Sequence, residues 1–272
     1  LLSGRRIIAK AKLGSIDRRN MPVIANLMMY ARPELQGPHD RYWALIRAQL
    51  AARGVDSPVA LSNDAEPFSV WRDTGLVLSQ TCGMPYRTRL HGTVQLVGTP
   101  DYALSGCPPG YYRSAVVVRR DDPRRALDAY STGTMAYNMR DSQSGFAALY
   151  AHVMQSGGPW FTDTVASGGH QRSAQMVADG QADIAAIDAQ TWRLIRRYAP
   201  YADRLRVLEY TAPTPGLPLI TGPRYDPATI FDAVAAAIET TNPADRTALD
   251  LHGLVRIPAA AYLAVPTPPV TV

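Results

Sequence analysis

The feature that this sequence lacks most clearly is lysine. Both lysines of the 272-residue chain lie in its first 20 residues, and residues 21–272 use 22 arginines instead. Residues 1–20 also hold the whole net charge of +5, because six basic residues there face one acidic residue. Residues 21–272 balance 22 basic against 22 acidic residues. The sequence therefore indicates no general polyanion-binding surface, and we expect no nucleic-acid partner.

This break in composition predicts that residues 1–20 are an added or translated upstream segment, with Met21 as the natural start. The alternative is a flexible basic arm. Residues 1–20 contain no unbroken apolar stretch of the length that a signal peptide needs. The residues themselves therefore give no argument for export.

Other absences narrow the class of protein further. No run approaches the roughly 18 apolar residues of a membrane-spanning helix, so we expect no direct membrane insertion. The two cysteines, Cys82 and Cys107, are too few for a disulfide scaffold and lack the spacing of a zinc site. The sequence is compatible with one disulfide bridge between them and with two free thiols. No Ser-His-Asp spacing, Walker A loop or glycine-rich dinucleotide motif occurs. We therefore expect no metal and no cofactor.

What the sequence does contain is an alternation of strand-length and helix-length segments, which predicts an α/β fold of mainly parallel sheets covered on both faces. The first series predicts strands at 23–30, 58–62, 76–79 and 93–98, with helices at 40–54 and 68–73. The second predicts strands at 114–119, 134–137, 164–166, 182–187 and 205–210, with helices at 144–154, 171–178 and 189–198. A strand at 217–221 and a helix at 227–240 follow.

The restart of the pattern after residue 105 predicts two lobes with a cleft between them. We expect the chain to cross between them near 100–112 and near 208–216. This gives lobe 1 as residues 21–105 plus 213–272, and lobe 2 as residues 106–212. Ligands of such sheets bind at the carboxyl ends of the strands.

The most informative motif is NMRDSQSGF at residues 138–146, where a predicted strand ends and a helix begins. Free backbone N–H groups at a helix start, together with two hydroxyls, suit a tetrahedral anion. A serine at this position is more commonly a helix cap. Local sequence alone leaves both roles open for Ser142 and Ser144.

Two further motifs follow at strand-to-helix junctions. SGGHQRS at residues 167–173 places His170 at a helix start, where it donates to an oxyanion or serves as a structural hydrogen-bonding residue. GQADIAAID at residues 180–188 ends in Asp188, which accepts from a ligand donor or caps the next helix through Trp192. All three motifs are expected at the ligand-binding edge of the sheet.

These motifs, in this order, resemble the phosphate/phosphite/phosphonate solute-binding family of ABC importers, and PTPGLP at residues 213–218 is similar to its return segment into the first lobe. The resemblance covers nearly all of residues 21–260. It implies a type II periplasmic-binding-protein fold with two Rossmann-like lobes joined by a two-segment hinge. It also implies a periplasmic location, a small anionic ligand and an ABC permease as partner.

The resemblance implies that the serines and helix amides at 142–145 hold ligand oxygens, with His170 donating from the same lobe. Asp188 is similar in placement to the acidic residue of the family that lies near an aminoalkyl group of the ligand. Gln143 departs from the family, because phosphonate receptors often have a small hydroxyl residue at this position. The residues that we expect to contact the ligand are Tyr30, Ser79, Gln80, Thr81, Tyr112, Ser142, Gln143, Ser144, Gly145, Ser167, His170 and Asp188.

The expected function is capture of phosphate, phosphite or phosphonate by hinge closure, without catalysis. One alternative is a cytoplasmic enzyme on the same fold, similar to chorismate dehydratase or the thiamine-pyrimidine synthases, with His170 or Asp188 as acid or base. Another is the effector-sensing domain of a regulator, although no helix-turn-helix is recognisable.

Overall fold

The computed structural model describes residues 22–270, so the predicted added segment at 1–20 lies outside the described residues. In chain order the strands are β1 (Ile24–Asn26), β2 (Leu76–Gln80), β3 (Gln95–Asp101), β4 (Tyr111–Tyr112), β5 (Ser114–Arg119), β6 (Thr134–Tyr137), β7 (Asp163–Ala166), β8 (Ile184–Asp188), β9 (Leu205–Tyr210), β10 (Thr214–Pro215), β11 (Leu219–Thr221) and β12 (Gly253–Val255).

The helices alternate with these strands along the chain. In chain order they are α1 (Gln36–Ala51), α2 (Pro67–Trp71), α3 (Gly83–Pro85), α4 (Ala148–Gln155), α5 (His170–Ala178), α6 (Ala189–Tyr198), α7 (Pro227–Thr240), α8 (Pro243–Ala248) and α9 (Ala259–Leu263). Two π turns, Tyr86–Leu90 and Gln143–Ala147, follow α3 and precede α4. Short 3₁₀ turns lie at Pro33–Leu35, Leu127–Tyr130 and Pro200–Arg204.

The strands form two five-stranded sheets, in the orders β1-β2-β11-β3-β12 and β7-β6-β8-β5-β9. We call the first sheet with its helices lobe 1 and the second sheet with its helices lobe 2. The prediction of mainly parallel sheets is wrong for β5, β11 and β12, which run antiparallel to their neighbours. For β5 and β11 the reason is topological, since each is the first strand after the chain has entered its sheet from the other lobe.

The predicted strand at 58–62 is also wrong, because this segment has no regular structure. Pro58 has no N–H to donate to a ladder, and the Val59 side chain is 77% exposed. Ser62 N does donate to Ala25 O at 2.8 Å, so the segment runs beside β1 without forming a ladder. Helix α1 begins at Gln36, earlier than the predicted 40, because the turn Pro33–Leu35 leads directly into it.

The two lobes have separate apolar cores. In lobe 1, the apolar face of α1, including Trp43, Ile46 and Leu50, is buried with α7 against the sheet. In lobe 2, successive residues of β5 point to opposite faces, so that Val117 lies in one core cluster and Val116 in the other. This sheet is therefore covered on both faces.

Between the sheets the chain crosses twice, and the two crossings touch each other. Strand β4 on the outward crossing pairs antiparallel with β10 on the return crossing, with Tyr112 opposite Thr214. In lobe 2 the carboxyl ends of β6 and β7 lead into the motifs at 138–146 and 167–173, and β8 forms the end of the motif at 180–188. Within residues 22–270, no helix has both the length and the apolar character needed to cross a bilayer.

Candidate functional site

A cleft of about 460 Å³ lies between the lobes. Its volume is within the roughly 300–1,000 Å³ that is typical of small-molecule sites. Five of the predicted ligand-contacting residues line it, namely Tyr30, Ser142, Ser144, His170 and Asp188. They lie in the segments that follow β1 in lobe 1 and β6 and β7 in lobe 2, and at the last residue of β8, so these segments meet at one cleft.

The turn that begins at Ser142 uses one of its serines as a cap. The Ser142 Oγ accepts a hydrogen bond from Gly145 N at 3.0 Å, which satisfies one of the free amides of the helix start. Ala147 N donates to Ser142 O at 3.0 Å, which makes the first turn a π turn. Ser142 thus has the capping role that the sequence left open, while it also lines the cleft.

The second serine of the turn is paired with the predicted histidine. Ser144 Oγ lies 2.8 Å from His170 Nε2, and both residues line the cleft. Burial lowers the pKa of His170 to about 4, although the nearby Ala186 backbone opposes the shift. The Nδ1 atom is buried without a hydrogen bond of normal geometry. At neutral pH the pair is therefore two uncharged groups that share one hydrogen bond.

Gly145 is required for the close packing behind this pair. A Cβ atom added at Gly145 would clash with Asn138 Oδ1 and would lie 3.1 Å from His170 Cε1. The absence of a side chain at 145 therefore lets the end of β6 and the start of α5 approach the π turn.

Asn138 is a cleft residue that sequence reasoning did not assign, although it lies in the quoted motif. Its side chain is mostly buried, it lines the cleft, and its Oδ1 atom has no hydrogen-bond partner among residues 22–270. Buried polar atoms are usually paired, so an unpaired amide oxygen in a cleft wall is typical of a group that meets a ligand or water. The signal available in the sequence was its position at the end of a strand.

Asp188 lies at the carboxyl end of β8 and is buried. Its Oδ1 caps α6 by accepting from Thr191 N at 2.9 Å, one residue earlier than the predicted Trp192. Its Oδ2 accepts from the Tyr30 hydroxyl of lobe 1 at 3.0 Å. Burial raises the pKa of Asp188 to about 6, and the hydrogen bonds from Thr191 and Tyr30 oppose the shift.

Three predicted contacts at the end of β2 are turned into lobe 1 rather than into the cleft. Ser79 Oγ accepts from Trp71 Nε1 at 3.0 Å and bonds to Asn26 Oδ1. Gln80 Nε2 donates to Leu217 O at 3.2 Å. Thr81 is fully buried, and its N donates to Pro218 O at 3.0 Å.

The remaining predicted contacts lie close behind the cleft wall. Gln143 is held by lobe 1, since its Oε1 accepts from Arg87 Nη1 at 2.7 Å and its N donates to Cys82 Sγ at 3.3 Å. Ser167 Oγ bonds to Ser173 Oγ at 2.6 Å. The Tyr112 hydroxyl is buried without a partner among residues 22–270, and burial, with Cys82 and Asp188 nearby, raises its pKa well above the ordinary value.

Both cysteines are free thiols. Cys82 lines the cleft, and its Sγ accepts the hydrogen bond from the Gln143 backbone N–H. Cys107 packs against the cluster that contains Tyr30 and Tyr112. Within residues 22–270, no group of three or more His, Cys, Asp or Glu side chains is arranged to hold a metal ion.

The charged groups of the cleft wall are mostly engaged. Arg32 is the one arginine among the described lining residues, and it pairs with Glu34 at 3.3 Å. Glu66 caps α2 through Phe68 N and Ser69 N, and Asp141 lies 3.6 Å from Arg89 across the cleft. A bound oxyanion would therefore meet chiefly uncharged hydroxyl, imidazole and amide groups.

Comparisons with known proteins agree with the motifs. The sequence profile of the ABC transporter, phosphonate, periplasmic substrate-binding protein family matches residues 82–262. No curated protein sequence matches the chain.

Solved structures with a similar fold come from several bacteria. A binding protein component of an ABC phosphonate transporter from Pseudomonas aeruginosa has 15% identity and a TM-score of 0.66, over 86% of this chain and 81% of that chain. PhnD1 from Prochlorococcus marinus in complex with methylphosphonate has 14% identity and a TM-score of 0.65, over 88% and 94%. A Xanthomonas citri protein bound to ATP has 16% identity and a TM-score of 0.63, over 88% and 92%.

At these identities the structural likeness establishes the fold, and it confirms the predicted type II periplasmic-binding-protein architecture. The profile match extends over about two thirds of the chain and confirms the family to which the three motifs pointed. The chain belongs to the family of ABC transporter periplasmic substrate-binding proteins for phosphonates.

Proposed function

We propose that this receptor holds the oxyanion head of a phosphonate, phosphite or phosphate in the cleft, against Ser142, Ser144 and His170 of lobe 2. The single observation that carries the proposal is the pair of Ser144 Oγ and His170 Nε2, 2.8 Å apart in the cleft wall. The ligand that PhnD1 from Prochlorococcus marinus contains, methylphosphonate, has such a head.

Uncharged donors give this site its selectivity. Because the pKa of His170 is lowered to about 4, the imidazole is neutral at pH 7 and contributes a hydrogen bond rather than a charge. A buried donor that loses its partner costs about 1–3 kcal/mol. A ligand without oxygens at the matching positions is therefore rejected.

Asp188 would face the part of the ligand that carries a hydrogen-bond donor. Its carboxylate is buried, and with a pKa of about 6 it is largely ionised at neutral pH. A carboxylate disfavours a bare dianion beside it and favours an amine or hydroxyl. We therefore expect the singly protonated head of methylphosphonate to bind more tightly than its dianion, a preference that Asp188→Asn removes.

Closure of the lobes would complete the site. The two crossings pair through β4 and β10, which supports a hinge between lobe 1 (residues 21–105 plus 213–272) and lobe 2 (residues 106–212). The contacts of Tyr30 with Asp188 and of Arg87 with Gln143 join the lobes across the cleft. A ligand that bridges both walls would favour the closed state by the contacts that it makes only there.

The receptor would deliver its ligand unchanged to the permease of an ABC importer, in the periplasm where its family works. Turnover is testable directly. Phosphorus NMR of methylphosphonate or 2-aminoethylphosphonate recovered after long incubation with the protein is expected to show the starting compound alone. A new phosphorus resonance would indicate an enzyme instead.

Calorimetric titration with a ligand panel tests the proposed function. The panel is phosphate, phosphite, methylphosphonate, 2-aminoethylphosphonate, methanesulfonate and chorismate. We expect at least one phosphorus oxyanion to bind, and Ser144→Ala and His170→Ala each to weaken it about ten- to hundred-fold, since a hydrogen bond to a charged group is worth about 1.5–3 kcal/mol.

The matched control is Ser156→Ala. Ser156 Oγ donates to Val153 O at the end of α4, away from the cleft, so its loss is expected to leave affinity unchanged. Binding of none of the phosphorus oxyanions, or equal affinity of the wild type and both site variants, would refute the proposal.

A further inference from the structure

The two walls of the cleft differ in chemistry according to the lobe that supplies them. Lobe 2 contributes mainly polar groups, among them Asn138, Ser142, Ser144, His170, Gln171 and Thr191. Lobe 1 contributes mainly apolar groups, among them Met28, Met29, Pro67, Phe68, Trp71 and Leu217. An anion held by lobe 2 would therefore face an apolar surface on lobe 1.

The apolar wall is held in place from behind. Glu66 accepts from Phe68 N at 3.0 Å and from Ser69 N at 2.7 Å, which fixes the start of the helix that carries Phe68 and Trp71. Trp71 Nε1 donates to Ser79 Oγ, and the Phe68 and Trp71 rings meet edge to face with centroids 4.9 Å apart. The wall is therefore preformed rather than assembled around a ligand.

Ser79 supports the apolar wall from within lobe 1. It was predicted to contact the ligand, but the structure has it anchoring the indole of Trp71 from within lobe 1. A polar residue at the end of β2 thus positions an aromatic side chain of the cleft.

Lobe 2 adds an apolar group on its own side of the cleft. The Met139 side chain, directly after Asn138, is 48% exposed and lines the cleft. Exposed methionines adapt to varied apolar shapes. Both lobes therefore offer apolar contacts to a ligand whose polar head lies against Ser144 and His170.

The size of the cleft is larger than a single tetrahedral anion requires. At about 460 Å³ it leaves room for a substituent beside the oxyanion head of a ligand. Water left against the apolar wall would be displaced favourably by an apolar group of the ligand.

We propose that the ligand is a phosphonate or phosphate monoester with an apolar alkyl or aryl substituent, whose oxyanion head contacts lobe 2 and whose substituent packs on Met28, Met29 and Phe68 of lobe 1. The inference rests on the proposed function, because it takes the head to lie against lobe 2. Burial of the substituent against lobe 1 drives closure of the lobes.

Titration with inorganic phosphate, methylphosphonate, butylphosphonate and phenylphosphonate tests the inference. Affinity is expected to rise along the alkyl series by about fourfold for each buried methylene, and phenylphosphonate is expected to bind at least tenfold more tightly than methylphosphonate.

Two variants test whether the apolar wall of lobe 1 is responsible for the higher affinity of the larger phosphonates. Phe68→Ala and Met29→Ala are expected to weaken phenylphosphonate at least fivefold more than they weaken inorganic phosphate, which has no substituent to pack on the wall. Met154→Ala is the matched control, because Met154 is a 40% exposed methionine on α4 outside the cleft, and it is expected to change neither affinity. Thermal melts of each variant establish that it is folded.

Methylphosphonate that binds as tightly as the butyl and phenyl compounds, or phenylphosphonate affinity that both wall variants leave unchanged, would overturn this inference and leave the proposed function standing. Failure of every oxyanion to bind would overturn both.

Discussion

The Tyr30 hydroxyl donates a hydrogen bond to Asp188 Oδ2 at 3.0 Å, and this bond joins the two lobes across the floor of the cleft. Both side chains are buried, and the bond satisfies a carboxylate whose pKa burial has raised to about 6. The same carboxylate caps α6 with its other oxygen. Asp188 therefore contributes both to the contact between the lobes and to the charge of the cleft.

Removal of this bond is expected to favour the open state. Tyr30→Phe deletes the donor and leaves Asp188 with less support from lobe 1, at a cost of about 1.5–3 kcal/mol to the closed arrangement. Small-angle scattering of the protein without added ligand is then expected to give a larger radius of gyration than that of the wild type.

Tyr225→Phe provides the control for that measurement. The Tyr225 hydroxyl lies in lobe 1 and is buried without a hydrogen-bond partner among residues 22–270, so its loss breaks no bond between the lobes. A radius of gyration that is the same in Tyr30→Phe, Tyr225→Phe and the wild type would show that the bond does not hold the lobes together.

The buried carboxylate is expected to leave a signature in the pH dependence of stability. Because the folded-state pKa of Asp188, about 6, lies above that of an ordinary aspartate, the folded chain keeps a proton that the unfolded chain has released between about pH 4 and 6. The contribution of Asp188 to stability therefore falls as the pH rises through this window, by on the order of 2–3 kcal/mol.

His170 has the opposite effect over nearly the same range. Its folded-state pKa of about 4 lies below the ordinary value, so its contribution to stability rises with pH. His170 is present in both the wild type and Asp188→Asn. Its effect therefore cancels when the free energy of unfolding of one is subtracted from that of the other. Urea unfolding at pH 4.5 and 7.5 is expected to show that the wild type loses stability relative to the variant at the higher pH. A difference independent of pH would contradict the account.

Gly145 is expected to tolerate no side chain. Gly145→Ala places a methyl group against Asn138 Oδ1 and His170 Cε1, so that the Asn138 side chain, the π turn or α5 must shift. Overpacking of this kind costs about 1–3 kcal/mol. Chemical unfolding is expected to show this loss, and titration a weaker phosphonate affinity.

Gly253→Ala is the matched control for that substitution. A Cβ at Gly253, in β12 of lobe 1, would have no heavy atom of another residue within 4 Å apart from its chain neighbours. It is expected to leave both stability and affinity within error of the wild type. Equal behaviour of the two alanine variants would show that Gly145 is not packed as described.

Much of the fold could be predicted because the strand and helix patterns are local. The strand at 114–119 and the helices at 189–198 and 227–240 agree with the structure residue for residue. The direction of β5 and β11 could not be predicted in the same way, since it depends on how the chain enters a sheet from the other lobe. The apolar composition of residues 58–62 predicts a strand, but Pro58 has no N–H to donate to a ladder and the segment forms none.

The candidate site shows a similar division. The residues at the ends of β6, β7 and β8 were identifiable because parallel neighbours bring their carboxyl ends to one edge. Ser79 was misplaced because β2 is buried on both faces, so that no polar alternation marks which side chain turns toward the cleft. The apolar run at 23–30 predicts a buried strand through Met28 and Met29, but β1 ends at Asn26 and both methionines line the cleft.

The most direct test is a crystal structure of this protein with methylphosphonate. The account predicts that the phosphonate lies in the cleft between the lobes, with an oxygen within hydrogen-bond distance of Ser144 Oγ and another near His170 Nε2. Phosphonate bound elsewhere on the surface, or held in the cleft by lobe 1 side chains without contact to Ser144 and His170, would contradict it.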